Sequence, residues 1–335
     1  MLVGVLAGRG ISITGVTKAT LGSLEIANVW LGAGVKGLGD SRVENLRAMR
    51  AASITARLTL IRSPMLTQVD VVVRNADASL NTELDVIRHL SAAAVQAERM
   101  HGVILMVELG DLREGIMPSE LERIARETLL LPNLTLDGIG TNLGCYNGVS
   151  PDAANMGQLS VLADLLEATF GLVLPTVSGG NSGNLDWVLG GADVERINDL
   201  RLGESLLLGR EPLHHRHLEG LHTDAITLVA EVIESGSKPS RPWGDIGETA
   251  FARTRRRPGN GTTQQALLAV GEQDTDCHAL TAPLGLEISG ASSDHLVLDC
   301  GTDLLPVGRE IRFQLGYSAL VRAMTSPFVS QVTSN

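Results

Sequence analysis

Short apolar runs recur along the first two thirds of the chain, and polar or glycine-rich residues follow each of them. The first run, residues 11–18, is rich in β-branched side chains, which favour a buried strand, and it ends at Lys18. Apolar residues at helical spacing begin a few positions later, at Leu24. The sequence repeats this pattern and predicts eight strands, at residues 11–18, 35–39, 54–61, 76–80, 103–109, 134–139, 172–177 and 197–202.

Eight strand-then-helix units predict a parallel sheet that closes into a (β/α)₈ TIM barrel, which we place at residues 1–222. In such a barrel the loops at the carboxyl ends of the strands form the active site. The predicted polar clusters all fall at those ends. The helix after the fifth strand is expected to begin with a capping box made by Ser119 and Glu122.

The pattern changes after Thr223, and we place a second domain at residues 223–335. A strand is predicted at residues 225–233, followed by a linker-like segment at 236–243 and an arginine-rich stretch at 253–261. Further short strands are predicted at residues 266–270, 284–288, 296–298, 311–315 and 328–332. Short strands separated by turn residues are typical of a smaller antiparallel β domain, without the helices of the first part.

Composition narrows the class of protein. Hydrophobic residues make up 44% of the 335 residues but aromatic residues only 3%, so aliphatic side chains must fill the cores. The net charge of −11 disfavours a nucleic-acid-binding protein, which needs a basic surface. Three scattered cysteines form no disulfide framework or zinc motif, and we find no bilayer-spanning run and no signal peptide. We therefore expect a cytoplasmic protein that binds neither nucleic acid nor membranes.

Two predicted strand ends carry candidate chemistry. Lys18 ends the first strand, and three glycines, at 179, 180 and 183, follow the seventh. A lysine amine can form an imine with a phosphorylated aldehyde, and a glycine-rich turn before a helix can bind the phosphate through main-chain N–H groups. Each feature also has a simpler interpretation. The lysine can extend from the strand end into water, and the turn can use glycine only for its positive φ.

Several segments match one known family in the expected order over nearly the whole chain. They are Val16-Thr17-Lys18 and residues 39–45, 106–115, 140–143, 177–182, 200–204, 290–295 and 322–327. In these segments the chain resembles the fold-type III enzymes that depend on pyridoxal 5'-phosphate (PLP). Within them it is most similar to the ornithine racemase-like branch of the alanine racemase superfamily.

The resemblance implies a role for each site residue. Lys18 would bind the cofactor aldehyde and act as base or acid on one face of the substrate Cα. Arg201 would face the pyridine nitrogen, which stays unprotonated because a guanidinium does not give up its proton. The other implied cofactor-binding positions are Arg113, Asn142, Ser178, Asn181, Ser182, Gly203, Glu204 and Tyr317. Structural alternatives are a salt-bridged barrel residue for Arg201 and a core tyrosine for Tyr317.

Two features depart from the family pattern. Alanine racemases take a second acid/base from a tyrosine of the partner's β domain, whereas this sequence reads Gly271-Glu272-Gln273-Asp274 there. The candidates for that role are Asp274, Asp294 and His295. Relatives also carry a further segment before the position of Met1, so we expect an earlier start or a differently covered barrel edge.

These observations predict a PLP-dependent amino-acid racemase that acts as a homodimer with shared active sites. Asp40, Asp111 or Glu204 could receive a side-chain ammonium, which favours basic substrates such as ornithine or lysine. The alternatives are a non-catalytic PLP-binding homeostasis protein and a fold-type III basic amino-acid decarboxylase. The β domain disfavours the first, and the absence of a Glu-Pro-Gly-Arg segment disfavours the second. No metal is expected, and the histidines at 214, 215, 217 and 222 are interpreted as a solvated helix end.

Overall fold

The computed structural model describes residues 1–248, 251 and 261–333. Its internal contacts divide the chain into two compact units, Met1–Leu221 and His222–Asn335. Most of the arginine-rich stretch, residues 253–260, lies outside the described residues.

The first unit is a closed barrel of eight parallel strands. They are β1 (Ser12–Val16), β2 (Gly37–Asp40), β3 (Arg57–Leu60), β4 (Ala78–Asn81), β5 (His101–Met106), β6 (Leu134–Gly140), β7 (Thr176–Asn181) and β8 (Asp199–Leu202). Consecutive strands pair in parallel, and β8 pairs with β1 to close the barrel, with Thr14 opposite Arg201. The prediction of a TIM barrel is confirmed.

Helices alternate with these strands. They are α1 (Leu2–Ala7), α2 (Leu24–Gly32), α3 (Val43–Ala51), α4 (Val69–Asn75), α5 (Leu84–Gln96), α6 (Pro118–Leu129), α7 (Ala153–Phe170), α8 (Leu185–Leu189) and α9 (Glu204–Leu208). The predicted capping box of α6 is wrong. Pro118 takes the first helical position, so Ser119 falls inside the first turn and no side chain caps the helix. A capping box begins α7 instead, between Asp152 and Asn155.

Aliphatic side chains form the core between the strands and the helices. Val103 and Leu105 of β5 pack in one cluster with Leu121 of α6 and Leu159 of α7, all fully or almost fully buried. These residues alternate along β5, so every second side chain faces the helices. Aliphatic side chains therefore make up most of this core, as the composition requires, and the aromatic Phe170 and Trp187 pack only partly buried against it.

The predicted end of the seventh strand is wrong. Strand β7 continues through Gly179 and Gly180 to Asn181, so the glycines belong to the strand end rather than to a turn after it. Gly180 has φ +145°, and a Cβ there would lie 2.1 Å from Asn184 Oδ1. Glycine is therefore required at this position by the tight passage of the chain from β7 to the following helical turn.

The second unit contains a six-stranded antiparallel sheet in the order β11-β14-β9-β10-β13-β12. Its elements are β9 (Thr227–Pro239), β10 (Thr262–Leu268), β11 (Leu280–Thr281), β12 (Glu287–Ala291), β13 (Leu296–Asp299), β14 (Glu310–Leu315) and the helix α10 (Tyr317–Thr325). The prediction of an antiparallel β domain after the barrel is confirmed.

Three details of that prediction are wrong. Strand β9 runs through half of the predicted linker, where it pairs with β10. Helix α10 is present because Ala319, Leu320 and Ala323 lie on one face and are buried. Residues 328–332 form no strand, and the side chains of Phe328 and Val332 are exposed. Their composition suits a strand, but no neighbouring strand pairs with them in the described part of the unit.

Within the described part of the chain, no helix combines the length and the apolar composition that crossing a bilayer requires.

Truncating one buried leucine should destabilise the barrel. Leu105 is 0% exposed, so we expect Leu105→Ala to lower the free energy of unfolding by about 2–5 kcal/mol through lost burial and a residual cavity. Chemical denaturation followed by circular dichroism measures this change. The matched control is Leu130→Ala, because Leu130 is 79% exposed and should change stability by less than about 0.5 kcal/mol. Equal effects of the two variants would contradict the assignment of the core.

Candidate active site

Lys18 lies just after β1, where a short 3₁₀ helix begins. The preceding residue, Thr17, is tied to the end of β2, because its Oγ1 donates to Asp40 Oδ2 at 2.7 Å. The Lys18 side chain is exposed at this end of the barrel. Reduced hydration among the surrounding protein atoms lowers the pKa of its amine, and Arg113 acts in the same direction, whereas Asp40 raises it. A larger fraction of the amine is therefore neutral and nucleophilic than for a lysine in water.

The closure of β8 on β1 places Gly203 and Glu204 beside the end of β1. A Cβ at Gly203 would lie 3.0 Å from the Val16 carbonyl oxygen, so a larger residue would crowd this approach. Glu204 begins α9 and is half-buried. Burial and repulsion by Glu211 raise the pKa of Glu204 to about 7, while attraction to Lys18 lowers it. Among the described residues, none donates a hydrogen bond to this carboxylate.

Arg201 is a buried cation inside the barrel, 6% exposed. Its Nη1 donates to Ser178 Oγ at 2.5 Å, and its Nη2 donates to the Thr141 carbonyl oxygen at 2.6 Å. Burial lowers the pKa of Arg201, and Asp199 opposes that shift. The guanidinium is thus held from β7 on one side and from the end of β6 on the other.

Asn181 and Ser182, which we expected at the phosphate, are bonded to neighbouring loops. Asn181 Oδ1 accepts from the Gly183 N–H at 2.7 Å, and Asn181 Nδ2 donates to Asn142 Oδ1 at 3.0 Å. Ser182 Oγ lies 3.0 Å from Ser205 Oγ of α9. Asn142 Nδ2 is buried without a hydrogen-bond partner in the described structure. These side chains join the ends of β6, β7 and β8, and they leave one amide donor available for a ligand.

Arg113 lies in the loop after β5 and forms an ion pair with the adjacent Glu114. The hydrogen bonds that Arg113 donates to the Glu114 carboxylate raise the pKa of Arg113 above its usual range. The Arg113 side chain is 40% exposed, so it can reorient toward a bound ligand at modest energetic cost.

Two of the three acids that we considered as partners of a substrate's side-chain ammonium already accept hydrogen bonds that hold loops of the barrel. Asp40 accepts from Thr17 Oγ1 and from the Arg42 N–H, and burial raises its pKa. Asp111 accepts from four main-chain N–H groups of the loop after β6, those of Cys145, Tyr146, Asn147 and Val149. Burial raises the pKa of Asp111, but the four donors together outweigh burial and lower it. Glu204 alone of the three has a carboxylate without such bonds among the described residues.

The expected opposing acid/base residues and Tyr317 belong to the second unit. Asp274 is buried and accepts from the Gly271 N–H at 3.1 Å and from Ser326 Oγ at 3.2 Å. Asp294 and His295 are paired with each other at 2.9 Å at the surface of a turn. Tyr317 is half-buried at the start of α10.

Sequence reasoning missed two buried acids of the barrel, Asp199 and Glu211. Asp199 lies two residues before Arg201, and a second charge at that spacing in an apolar strand was the available signal. Glu211 is fully buried and accepts from the main-chain N–H groups of Leu213, His214 and Arg216. The histidines at 214, 215 and 217 therefore lie on a turn held by Glu211, and the predicted helix end is wrong.

This closed barrel carries a lysine amine, a buried guanidinium and a half-buried carboxylate near the carboxyl ends of its strands, which is the layout of a barrel enzyme. The family model described as "Alanine racemase, N-terminal domain" matches residues 4–211. The chain belongs to the alanine racemase family, whose members depend on PLP.

Two characterised relatives align with most of the chain. An ornithine racemase of Acetoanaerobium sticklandii is 41% identical over 297 residues, which cover 87% of this chain and 83% of the relative. A lysine racemase of Thermotoga maritima is 37% identical over 334 residues, which cover 99% of this chain and 93% of the relative.

Solved structures share the fold at low sequence identity. The alanine racemase from Streptomyces coelicolor A3(2) superposes with a TM-score of 0.74 at 18% identity, covering 97% of this chain and 93% of that one. The D-threonine aldolase from Filomicrobium marinum superposes with a TM-score of 0.73 at 16% identity, covering 96% and 84%. These likenesses support the two-unit architecture alone.

The residues at this barrel end fit PLP. Lys18 offers an amine with a lowered pKa, and Arg201 offers a buried cation in a fixed orientation. The buried Asn142 Nδ2 lacks an acceptor among the described residues, and PLP carries several acceptor oxygens. Gly203 lets the start of α9 approach the Val16 carbonyl at the end of β1, which places the Glu204 main chain beside Lys18.

Removing the Asp111 charge should loosen the loop after β6. We expect Asp111→Asn to increase the amide exchange rates of Cys145, Tyr146 and Asn147 by about tenfold or more, because an amide oxygen replaces a charged acceptor. The pKa of Asp111 is lower in the fold than in the unfolded chain. The protection of these amides in the wild type is therefore complete above the ordinary aspartate pKa, and it is lost as the pH falls through the lowered pKa.

Hydrogen-exchange mass spectrometry at two pH values measures that protection. The matched control is Asp85→Asn, because the Asp85 side chain is 81% exposed. Unchanged protection of the loop in Asp111→Asn would show that the carboxylate charge does not hold it.

Proposed function

We propose that this protein is a PLP-dependent racemase of basic amino acids, with ornithine or lysine as substrate. The observation that carries the proposal is the amine of Lys18 at the end of β1, in a chain 41% identical to an ornithine racemase and 37% identical to a lysine racemase. The structural relatives include both a racemase and an aldolase, so fold alone does not select the reaction.

Lys18, Arg201 and the start of α9 are the residues that would hold PLP. When bound, PLP withdraws electrons from the substrate Cα and so acidifies the proton there. The Lys18 amine removes or returns that proton on one face of Cα, and its lowered pKa favours the neutral form that accepts it. Arg201 is held as a permanent cation by Ser178 and Thr141, which fits a site that must not donate a proton to the cofactor ring.

A second acid/base must act on the opposite face of Cα. Asp274, Asp294 and His295 are the candidates, and a homodimer in which each β domain completes its partner's barrel would supply them. The pair Asp294–His295 is the better candidate, because its side chains are exposed whereas Asp274 is buried within its own domain.

Glu204 is the residue that we assign to the substrate's side-chain ammonium. It is half-buried near Lys18, and its carboxylate accepts no hydrogen bond from any described residue. Asp40 and Asp111 already accept hydrogen bonds from neighbouring loops, Asp40 from Thr17 and Asp111 from the loop after β6. An ammonium beside Glu204 would also offset the repulsion between Glu204 and Glu211.

The Lys18 assignment predicts loss of racemisation in Lys18→Ala. We expect the wild type to convert L-ornithine into a mixture with D-ornithine, and Lys18→Ala to be slower by a factor of about 10³ or more, because the acid/base is lost. Chiral chromatography after incubation with PLP measures both isomers. The control is Lys36→Ala, since Lys36 is an exposed lysine just before β2, at the opposite end of the strands.

Two outcomes of that assay would replace the proposal. Bound PLP without any D-isomer from a panel of amino acids would favour a non-catalytic PLP-binding homeostasis protein. Release of carbon dioxide from ornithine or lysine would favour a decarboxylase.

The Glu204 assignment predicts a pH-dependent preference for charged substrates. Glu204 has a pKa of about 7, so its charged fraction grows as pH rises through that value. We expect the ratio of kcat/KM for ornithine to that for norvaline to rise by about tenfold between about pH 6 and 8. Norvaline lacks only the terminal amine, so the titration of Lys18 cancels in the ratio. In Glu204→Gln the ratio should be low and independent of pH. A persistent pH-dependent ratio in that variant would contradict the assignment.

A further inference from the structure

Two oppositely charged side chains of β8 lie inside the barrel. Asp199 and Arg201 are separated by one residue, so both point to the same side of the strand, and they are 8% and 6% exposed. Their neighbours across the closure are Thr14 of β1, opposite Arg201, and Ser178 of β7, opposite Asp199. A charge pair at this depth requires hydrogen-bond partners that replace water.

A serine hydroxyl links the two charges. Arg201 Nη1 donates to Ser178 Oγ at 2.5 Å, and Ser178 Oγ donates to Asp199 Oδ2 at 2.5 Å. The second carboxylate oxygen, Asp199 Oδ1, accepts from Thr14 Oγ1 at 2.7 Å. The direction of these bonds is fixed by charge, because the carboxylate can only accept and the guanidinium can only donate. Ser178 therefore accepts from Arg201 through its oxygen and directs its own proton to Asp199.

The same four side chains line a cavity of about 270 Å³. The cavity also contacts residues at the amino ends of the strands, among them Ser12 and Asn198. Lys18 lies at the carboxyl end of β1, so the cavity reaches Arg201 from the side opposite to Lys18. A small solute that enters this cavity can therefore reach Asp199 without passing through the end of the barrel that carries Lys18.

We propose that Asp199 is a positioning residue for the reaction: through Ser178 its carboxylate fixes the orientation of the Arg201 guanidinium that faces the cofactor ring. This inference rests on the proposed function, since it assigns the Asp199–Ser178–Arg201 network to the PLP site. Asp199 does not touch the cofactor ring in this scheme. Asp199 instead determines which N–H groups of Arg201 donate hydrogen bonds inside the barrel, and so which N–H groups remain for the ring nitrogen.

Two variants test the network through the bound cofactor rather than through turnover alone. Asp199→Ala removes the carboxylate, and Ser178→Ala cuts the link while both charges remain. We expect the Kd of PLP for the apoprotein to rise about tenfold in Ser178→Ala and up to about a hundredfold in Asp199→Ala, because a bond to a charged group is lost. The visible absorption spectrum of bound PLP should change in both variants, and in both it should become dependent on pH. The control is Thr59→Val, which lines the same cavity outside the network and should leave Kd and spectrum unchanged.

Formate separates positioning from a merely structural role. Asp199→Ala leaves a carboxylate-sized space beside the cavity, so formate at tens of millimolar should restore Kd and spectrum to within about threefold of wild type. It should restore neither in Ser178→Ala, because the link itself is missing. Rescue in Asp199→Ala but not in Ser178→Ala supports the proposal, and the absence of rescue overturns it.

A double variant covers the case in which Asp199→Ala folds poorly. In an Arg201→Met background, Asp199→Asn should change Kd and spectrum by less than about twofold, because Asp199 acts through Arg201. Equal effects of Asp199→Asn with and without Arg201 overturn the proposal.

Failure of the proposed function is distinguishable, because it appears as wild-type protein that yields no D-ornithine. An active wild type with unchanged spectra in Ser178→Ala and Asp199→Asn rejects only the role of Asp199.

Discussion

The parallel pairing of β8 with β1 is the constraint on which the site depends. Strands far apart in sequence become neighbours, so the residues after β8, Gly203 and Glu204, lie beside the end of β1 and Lys18. The same pairing sets Thr14 opposite Arg201 inside the barrel. Without closure, the amine, the titratable carboxylate and the buried guanidinium would lie on two separate sheet edges. The approach needs glycine at position 203, because a Cβ there would crowd the Val16 carbonyl.

Buried carboxylates organise both ends of this barrel. Asp111 and Glu211 are at most 1% exposed, and each accepts several main-chain N–H groups of a loop at the carboxyl ends of the strands. Asp199 accepts two hydroxyl groups nearer the amino ends. TIM barrels usually fill their interior with branched aliphatic side chains. Here a charged network occupies part of that space, and desolvation of its charges is offset only because each one is hydrogen-bonded.

Much of the fold could be predicted because periodicity is a local property. Apolar runs followed by polar residues marked eight strands, and the change of pattern marked the sheet that follows the barrel. The errors occurred where partners outside the local pattern decide the outcome. Residues 328–332 have strand-like composition but no pairing strand in the described unit, while Pro118 displaced the expected cap of α6 by taking its first position. For the site, Lys18 and Arg201 carried a signal in the motifs, whereas Asp199 and Glu211 carried almost none.

The sequence by itself determined which residue types stand at the strand ends. It also determined the family, because the matching segments are short, local and in a fixed order along the chain. Only the tertiary structure decided which of those groups remain available. Asp40, Asp111 and Glu204 look alike as acids near strand ends, yet two accept hydrogen bonds from neighbouring loops and one is half-buried with a pKa of about 7. Hydrogen bonding and desolvation depend on neighbours brought together by barrel closure, and these neighbours are distant in sequence.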